Sequence, residues 1–157
     1  MNFKDNYNIA IVGLGNVGSE VYRHLVKNKR AIEINTNSTF QIKYISAKTI
    51  SKKRGFSIPK KMWVKNPLAL VKKDDVDIII ELIGGSDGVA KKLAFAALKN
   101  SKHVITANKA LIFKHGNELA KTQWNLTHHH SRRNYLLPEG SGKKHTEDFK
   151  TLQDKLS

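Results

Sequence analysis

Apolar residues of this chain occur in short continuous runs, each followed by glycine or polar residues. Such runs are typical of parallel strands that are buried on both faces of a sheet. The pattern predicts four strands, the second with apolar–polar alternation: residues 8–12, 40–45, 76–83 and 103–105. Glu81 falls within the third run, where a carboxylate is costly to bury unless it ends the strand and has a partner or solvent.

Helical periodicity follows the first strand at once. Val17, Val21 and Leu25 are spaced i, i+4 and i+8, with Val26 beside them, which predicts an amphipathic helix over residues 16–29 with these four on its apolar stripe. Further helices are expected at residues 67–71, 88–99 and from about 115. Asn66 caps the first of these and Ser86 or Asp87 the second, whereas the Asn-rich residues 30–39 are predicted to form a loop.

Strands that alternate with helices in this way define the α/β class. The predicted fold is a Rossmann-like doubly wound parallel sheet, incomplete, with an irregular C-terminal tail. Ligands of such sheets bind outside the carboxyl ends of the strands. Three loops meet that condition, at residues 13–18, 83–87 and 106–109.

The loop after the first strand has the spacing Gly-x-Gly-x-x-Gly. Gly13 would allow a tight turn, Gly15 would admit a pyrophosphate to the backbone, and Gly18 would let the helix pack on the strand. Three spaced glycines alone are weak evidence, since flexible loops contain them too. The strand before them and the helix after them favour a dinucleotide site.

The end of the second strand bears on which dinucleotide binds. This position usually carries Asp or Glu for the ribose hydroxyls, but here the chain has Ser46, Ala47 and Lys48. A hydroxyl and an ammonium suit a 2′-phosphate better, so the residues favour NADP, with NAD possible. Membership of a basic run is the alternative explanation for Lys48.

The composition limits the remaining classes. The 157 residues include no cysteine, which excludes disulfides and thiol chemistry, and no apolar run is long enough to span a bilayer. We therefore expect a soluble, cytoplasmic protein without membrane association. A net charge of +15 suggests a polyanionic partner, but the basic residues are mostly lysine and no aromatic series accompanies them. A solvated lysine-rich face is favoured, and a nucleic-acid-binding module remains the rival.

Three segments together resemble the nucleotide-binding domain of homoserine dehydrogenase: GLGNVGSEV from residue 13, ELIGG from residue 81 and KHVITANKALI from residue 102. The resemblance runs from about residue 8 to residue 121 and implies reversible NAD(P)H-dependent reduction of aspartate 4-semialdehyde to L-homoserine, on the route to threonine, methionine and isoleucine. For the full-length family it implies a homo-oligomer; the oligomeric state of this chain stays open. A stand-alone nucleotide-binding module without catalysis is the alternative.

The resemblance also implies roles for individual residues. Lys109 would be catalytic, near the reacting oxygen, where an ammonium can stabilise or protonate developing charge. The implied cofactor-binding residues are Gly13, Leu14, Gly15, Asn16, Val17, Gly18, Ser46, Ala47, Lys48, Ile83, Gly84, Gly85, Thr106, Ala107, Asn108 and Lys109.

After Lys121 the sequence departs from the family pattern, which should continue into a Glu-containing strand, a Gly-Gly-x-Pro loop and a substrate domain. We expect an NAD(P)-binding Rossmann domain over residues 1–121 and a divergent, poorly ordered tail over residues 122–157, as in a truncated or frameshifted product. The triplet His128–His130 is interpreted as an accidental or tag-like run, because adjacent side chains point in different directions.

Overall fold

A four-stranded parallel sheet organises the described part of the chain. The computed structural model describes residues 5–129, with side chains as far as Gln123. The strands are β1 (Asp5–Val12), β2 (Ser38–Ser46), β3 (Ile78–Glu81) and β4 (His103–Thr106). Their order across the sheet is β2-β1-β3-β4, so the chain extends outward from β1 in both directions. The predicted third strand is correct in position but longer than the observed one, since Leu82 and Ile83 already belong to the following loop.

Among the described residues, four α-helices accompany the sheet. They are α1 (Asn16–Lys27), α2 (Lys29–Thr36), α3 (Val89–Lys99) and α4 (Lys109–His129). Two 3-10 helices, Lys60–Met62 and Pro67–Lys72, lie in the connection between β2 and β3. Asn66 caps the second of these as predicted, because its side-chain oxygen accepts the backbone N–H of Leu68.

The two faces of the sheet bury separate apolar cores. Ala10, Val12 and Ile79 face a core that includes Leu70 from the second 3-10 helix and Leu93 from α3. The residues that alternate with these strand positions face the other core, with side chains from α1 and α2: Ile9, Ile11, Ile80, Val21, Tyr22, Leu25 and Ile32. Helices on both faces confirm the doubly wound α/β prediction.

The prediction of a loop at residues 30–39 is wrong, because α2 occupies most of that segment. Glu33 explains the helix: its buried carboxylate accepts the backbone N–H of Phe40 at 3.1 Å and lies 3.7 Å from the Lys29 ammonium. Asn37, at φ 50°, ends the helix in the left-handed conformation. The polar stretch that suggested a loop therefore marks only a helix C-terminus.

The predicted apolar stripe of α1 is also partly wrong. Val21 and Leu25 pack on the core as expected, but Val17 is 58% exposed and Val26 is 54% exposed. The helix instead approaches the sheet through Gly18 and Tyr22. Gly18 lies three residues before Val21 and four before Tyr22, so the three residues share the buried face of the helix. Val17 is thereby left exposed beside the glycine loop.

Two further helix boundaries differ from the predictions. The N-cap of α3 is Gly88, which makes no side-chain capping bond, so neither Ser86 nor Asp87 caps that helix. Asp87 is used elsewhere, bonding to Lys114 at 2.7 Å and to His115 at 3.1 Å on α4. Helix α4 begins at residue 109 rather than near 115, since Asn108 caps it.

The sheet, α1 to α3 and α4 as far as Leu126 belong to one unit. Helix α4 itself runs past residue 122 to His129, and the rest of the expected tail lies outside the described residues. Among the helices that the structure describes, none has the length and hydropathy that crossing a membrane requires.

Candidate functional site

The four strands end in line at one edge of the sheet. In the ladder register Val12 pairs with both Ser46 and Glu81, and Glu81 pairs with Thr106. The first residues of the loops still hydrogen-bond to the neighbouring strands. The Gly13 N–H donates to the Ser46 carbonyl at 2.8 Å, and the Leu82 N–H donates to the Val12 carbonyl at 2.7 Å. The three loops that the sequence singled out and the end of the second strand are therefore brought together at this edge.

Two of the three motif glycines are required by close packing. Gly13 has φ +101°, and a Cβ there would lie 2.5 Å from the Leu82 carbonyl oxygen. A Cβ on Gly18 would lie only 2.0 Å from the carbonyl oxygen of Gly13. Any side chain at either position would have to displace backbone, so these two glycines hold the turn, β3 and α1 together.

Gly15 differs from its two neighbours in the motif. A Cβ there would meet no atom within 4 Å, so the fold does not require glycine at this position. Gly15 is the N-cap of α1 and makes no side-chain capping bond, and no acidic residue lies in the first turn. The first turn of α1 is therefore uncapped by any side chain, and Gly15, Asn16 and Val17 are exposed at its start, as an anion site requires.

The residues expected at the adenosine end differ in their exposure to solvent. Ser46 is 2% exposed and Ala47 packs against the core beneath α1, so both belong mainly to the fold. Lys48 is exposed at the same strand end. Similarly, the Leu14 side chain is buried in the core, and only its backbone contributes to the loop surface.

Arg54 is the residue that sequence reasoning missed at this end of the site. Its side chain reaches across to the glycine loop, where Nε donates to the Leu14 carbonyl at 3.2 Å. In the sequence Arg54 counted only as one member of a basic run. Its sole distinguishing signal was that it is the one arginine in an otherwise lysine-based stretch between residues 48 and 73.

A buried polar network joins the other two loops. Glu81 is fully buried at the end of β3, where its carboxylate accepts the Ile83 N–H at 2.6 Å and the Thr106 hydroxyl at 2.5 Å. Hydrogen bonds to a charged acceptor are strong and offset the cost of burying it. The prediction that Glu81 must end its strand and be paired is confirmed.

Asn108 extends this network. Its amide donates to the Ile83 carbonyl at 2.9 Å and to the Gly85 carbonyl at 2.6 Å, and its own N–H donates to the Thr106 hydroxyl oxygen at 3.0 Å. Its side-chain oxygen accepts the Leu111 N–H at 3.0 Å and so caps α4. Because Asn108 is only 9% exposed and uses its amide fully, it fixes the shape of the two loops.

The exposed residues of these loops surround the same edge. Gly84, Gly85 and Ala107 are exposed, and a Cβ on either glycine would meet no atom within 4 Å. Lys109 is exposed as the first residue of α4, directly after the Asn108 cap. The described part of the chain gathers no group of three or more metal-ligating side chains.

A doubly wound sheet with an open glycine loop at its first helix defines a dinucleotide-binding domain of the Rossmann class. The family model that matches the chain is "Homoserine dehydrogenase, NAD binding domain", over residues 13–131. The chain therefore belongs to this family, and the resemblance seen in the sequence is confirmed.

Individual relatives agree with this assignment. The homoserine dehydrogenase of Neisseria gonorrhoeae is 38% identical over 113 residues, which are 71% of this chain and 25% of that protein. A crystal structure of S. aureus homoserine dehydrogenase has a TM-score of 0.69 at 36% identity and covers 77% of this chain and 30% of its own. An archaeal homoserine dehydrogenase in complex with NADPH shares the fold, with a TM-score of 0.60 at 18% identity and coverage of 76% and 41%.

The matched region has a definite extent. The chain spans about a quarter of the length of the curated relatives it matches. The shared part is the nicotinamide-cofactor domain, and the loop residues of the site, from Gly13 to Lys109, lie within the matched range.

Proposed function

We propose that this chain is the cofactor domain of a homoserine dehydrogenase and that it binds NADP(H) across the carboxyl edge of its sheet. The observation that carries the proposal is the contrast among the motif glycines. At Gly13 and Gly18 the space that a side chain would need is occupied by backbone atoms. At Gly15 that space is open, at a helix N-terminus that no side chain caps. That space suits a pyrophosphate, because helix N–H groups and the macrodipole favour negative charge there.

The phosphorylated cofactor is favoured on charge. Lys48 is exposed at the end of β2, and the segment from residue 48 to residue 73 contains no acidic residue. An acidic side chain at this strand end would instead favour the free 2′-hydroxyl of NAD. Binding of NADPH by a protein of the same fold supports the choice, and NAD remains the alternative.

The nicotinamide half would lie over the loops that follow β3 and β4. When bound, the cofactor supplies a hydride to the carbonyl carbon of aspartate 4-semialdehyde. The residues of this chain would orient the partners: the Glu81–Thr106–Asn108 network fixes both loops, and exposed Gly84 and Gly85 leave room for a ring. Lys109 would stabilise charge on the substrate oxygen or donate a proton to it.

The cofactor part of the proposal is tested by titrating the chain with NADPH and NADH, following cofactor fluorescence and the melting temperature. NADPH should bind more tightly than NADH and raise the melting temperature, because it binds only the folded chain. Failure of both cofactors to bind the folded protein would overturn the proposal.

Catalysis is tested by adding the remaining segment of a relative such as the S. aureus enzyme and assaying NADPH-dependent reduction of aspartate 4-semialdehyde. Activity that appears in the mixture supports the dehydrogenase, and activity lost in Lys109→Ala with NADPH binding retained supports the role of Lys109. Intact cofactor binding with no turnover in the mixture would instead favour a nucleotide-binding module without catalysis.

A further inference from the structure

The contacts of Arg54 are unusual for a residue in a basic surface segment. Four of its N–H contacts go to backbone carbonyls: Nε to Leu14 at 3.2 Å, one terminal nitrogen to Ile50 at 3.2 Å and to Lys52 at 2.8 Å, and the other to Thr49 at 2.5 Å. A guanidinium offers five donors in a planar fork, so most of its capacity is used within the protein.

The same segment is attached to α1 by a second set of contacts. Arg23 of α1 donates to the Arg54 carbonyl at 2.7 Å and lies 5.1 Å from the centre of the Phe56 ring. The Phe56 ring stacks on Tyr22 with centroids 4.8 Å apart and planes 20° apart. Residues 47–57 are therefore tied to the glycine loop through Leu14 and to α1 through Arg23 and Tyr22.

This attachment places a basic segment beside the cofactor loop. Lys48, Lys52 and Lys53 are exposed in it, and none of the three has a resolved hydrogen bond or ion pair through its ammonium group in the described part of the chain. Arg54 itself is half-buried, with its guanidinium 5.6 Å from the Trp63 ring. The lysines, rather than Arg54, are thus the charges available to an anion.

We propose that Arg54 is a positioning residue that fastens the lysine-bearing segment 48–53 over the glycine loop and thereby sets the preference for a 2′-phosphorylated cofactor. This inference rests on the proposed cofactor function of the same site. A guanidinium is needed because its fork reaches several carbonyls at once, whereas an ammonium is a single point of donation. A direct bidentate phosphate contact would also favour arginine over lysine, so the attachment of the segment, measured by trypsin digestion of the free protein, separates the two roles.

The test compares Arg54→Lys, which keeps the charge, with Arg54→Gln, which removes it. Lys61→Gln is the matched control, since it removes one charge from an exposed residue of the same basic stretch. Both Arg54 variants should weaken NADPH binding by about tenfold and NADH binding by less, so the affinity ratio of the two cofactors falls. Lys61→Gln should bind both as the wild type does.

A second measurement needs no cofactor. Limited trypsin digestion of the free protein, with mass spectrometry of the fragments, reports cleavage after Lys52 and Lys53. Cleavage there should be at least about tenfold faster in both Arg54 variants than in the wild type and in Lys61→Gln, because local opening exposes the segment. If the Arg54 variants melt below the assay temperature, Phe56→Ala loosens the same segment with the guanidinium intact and should give the same faster cleavage.

The outcomes separate the two proposals. Wild-type NADPH affinity in Arg54→Lys but not in Arg54→Gln would assign Arg54 to charge alone and overturn its positioning role. Unchanged cleavage after Lys52 and Lys53 in the variants would overturn the fastening itself. If the wild-type chain binds no cofactor, the proposed function fails, while the digestion still decides whether Arg54 fastens the segment.

Discussion

Replacing Asn108 by alanine should destabilise the whole domain, because this side chain hydrogen-bonds three backbone groups in the loop after β3 and in α4. The substitution removes two amide donors, to the Ile83 and Gly85 carbonyls, and the oxygen that caps α4 at Leu111. It leaves the backbone N–H that donates to the Thr106 hydroxyl oxygen unchanged. The expected loss can therefore be assigned to three hydrogen bonds.

Their magnitudes give the size of the effect. Loss of an Asn N-cap costs about 1 kcal/mol. Each of the two neutral hydrogen bonds contributes a further ~1 kcal/mol. The sum is about 3 kcal/mol, a large part of the roughly 5–15 kcal/mol that stabilises a typical domain. For a domain of this size, such a loss corresponds to a melting temperature lower by roughly 10 °C.

Urea unfolding followed by circular dichroism measures this change directly. Asn100→Ala is the matched control: Asn100 donates a single side-chain bond, to Ala96 at 2.8 Å, at the exposed end of α3, so its loss should cost under about 1 kcal/mol. Asn108→Asp keeps the cap acceptor but places a carboxylate oxygen against the Ile83 and Gly85 carbonyl oxygens, so it should lose at least as much stability as Asn108→Ala. An Asn108→Ala variant no less stable than Asn100→Ala would refute the reasoning.

Three further predictions concern other parts of the domain. Gly15→Ala should keep wild-type stability within about 0.5 kcal/mol yet bind NADPH at least about tenfold more weakly. Gly18→Ala should lose about 3 kcal/mol in urea unfolding, since its Cβ would overlap backbone. Equal stability of the two variants would contradict this prediction. The pKa of Asp75 is lowered chiefly by the hydrogen bond from Tyr44, so its contribution to stability is present above about pH 4 and is lost as pH falls through the lower folded-state pKa. Tyr44→Phe should make stability less steeply dependent on pH below about 4, and an unchanged slope would count against the assignment. Glu81→Gln should cost about 2 kcal/mol of unfolding free energy, because the charge-assisted bond from the Thr106 hydroxyl is lost; a wild-type midpoint in urea would be the contrary result.

The strands and the glycine loop could be predicted from the sequence because their causes are local. A continuous apolar run identifies a strand buried on both faces, and the motif spacing places Gly13 and Gly18 at the turn and the helix. Helix α2 was missed because the carboxylate of Glu33 stabilises it through a residue on the next strand, Phe40. No local pattern reports such a contact.

The candidate site shows the same division. Asn108 was expected among the cofactor-binding residues, and it does lie at the predicted edge, but its packing role depends on carbonyls of a loop 23 residues away. Arg54 was not expected there at all, since its contact with Leu14 spans 40 residues. The sequence thus indicated which loops meet, while the side chains that hold them together required tertiary structure.

In the described part of the chain, the side-chain hydrogen bonds divide the carboxyl edge into two halves, with no such bond from one half to the other. Arg54 ties the loop after β2 to the loop after β1, and Glu81 with Asn108 ties the loop after β3 to the loop after β4. The halves meet between β1 and β3, where Gly13 packs on the Leu82 carbonyl. This is also where the strand order reverses, and ligands of open α/β sheets bind at such a point. A dinucleotide is long enough to have its two nucleotides recognised separately, so a site of two independently fixed halves around one open glycine fits that class of ligand.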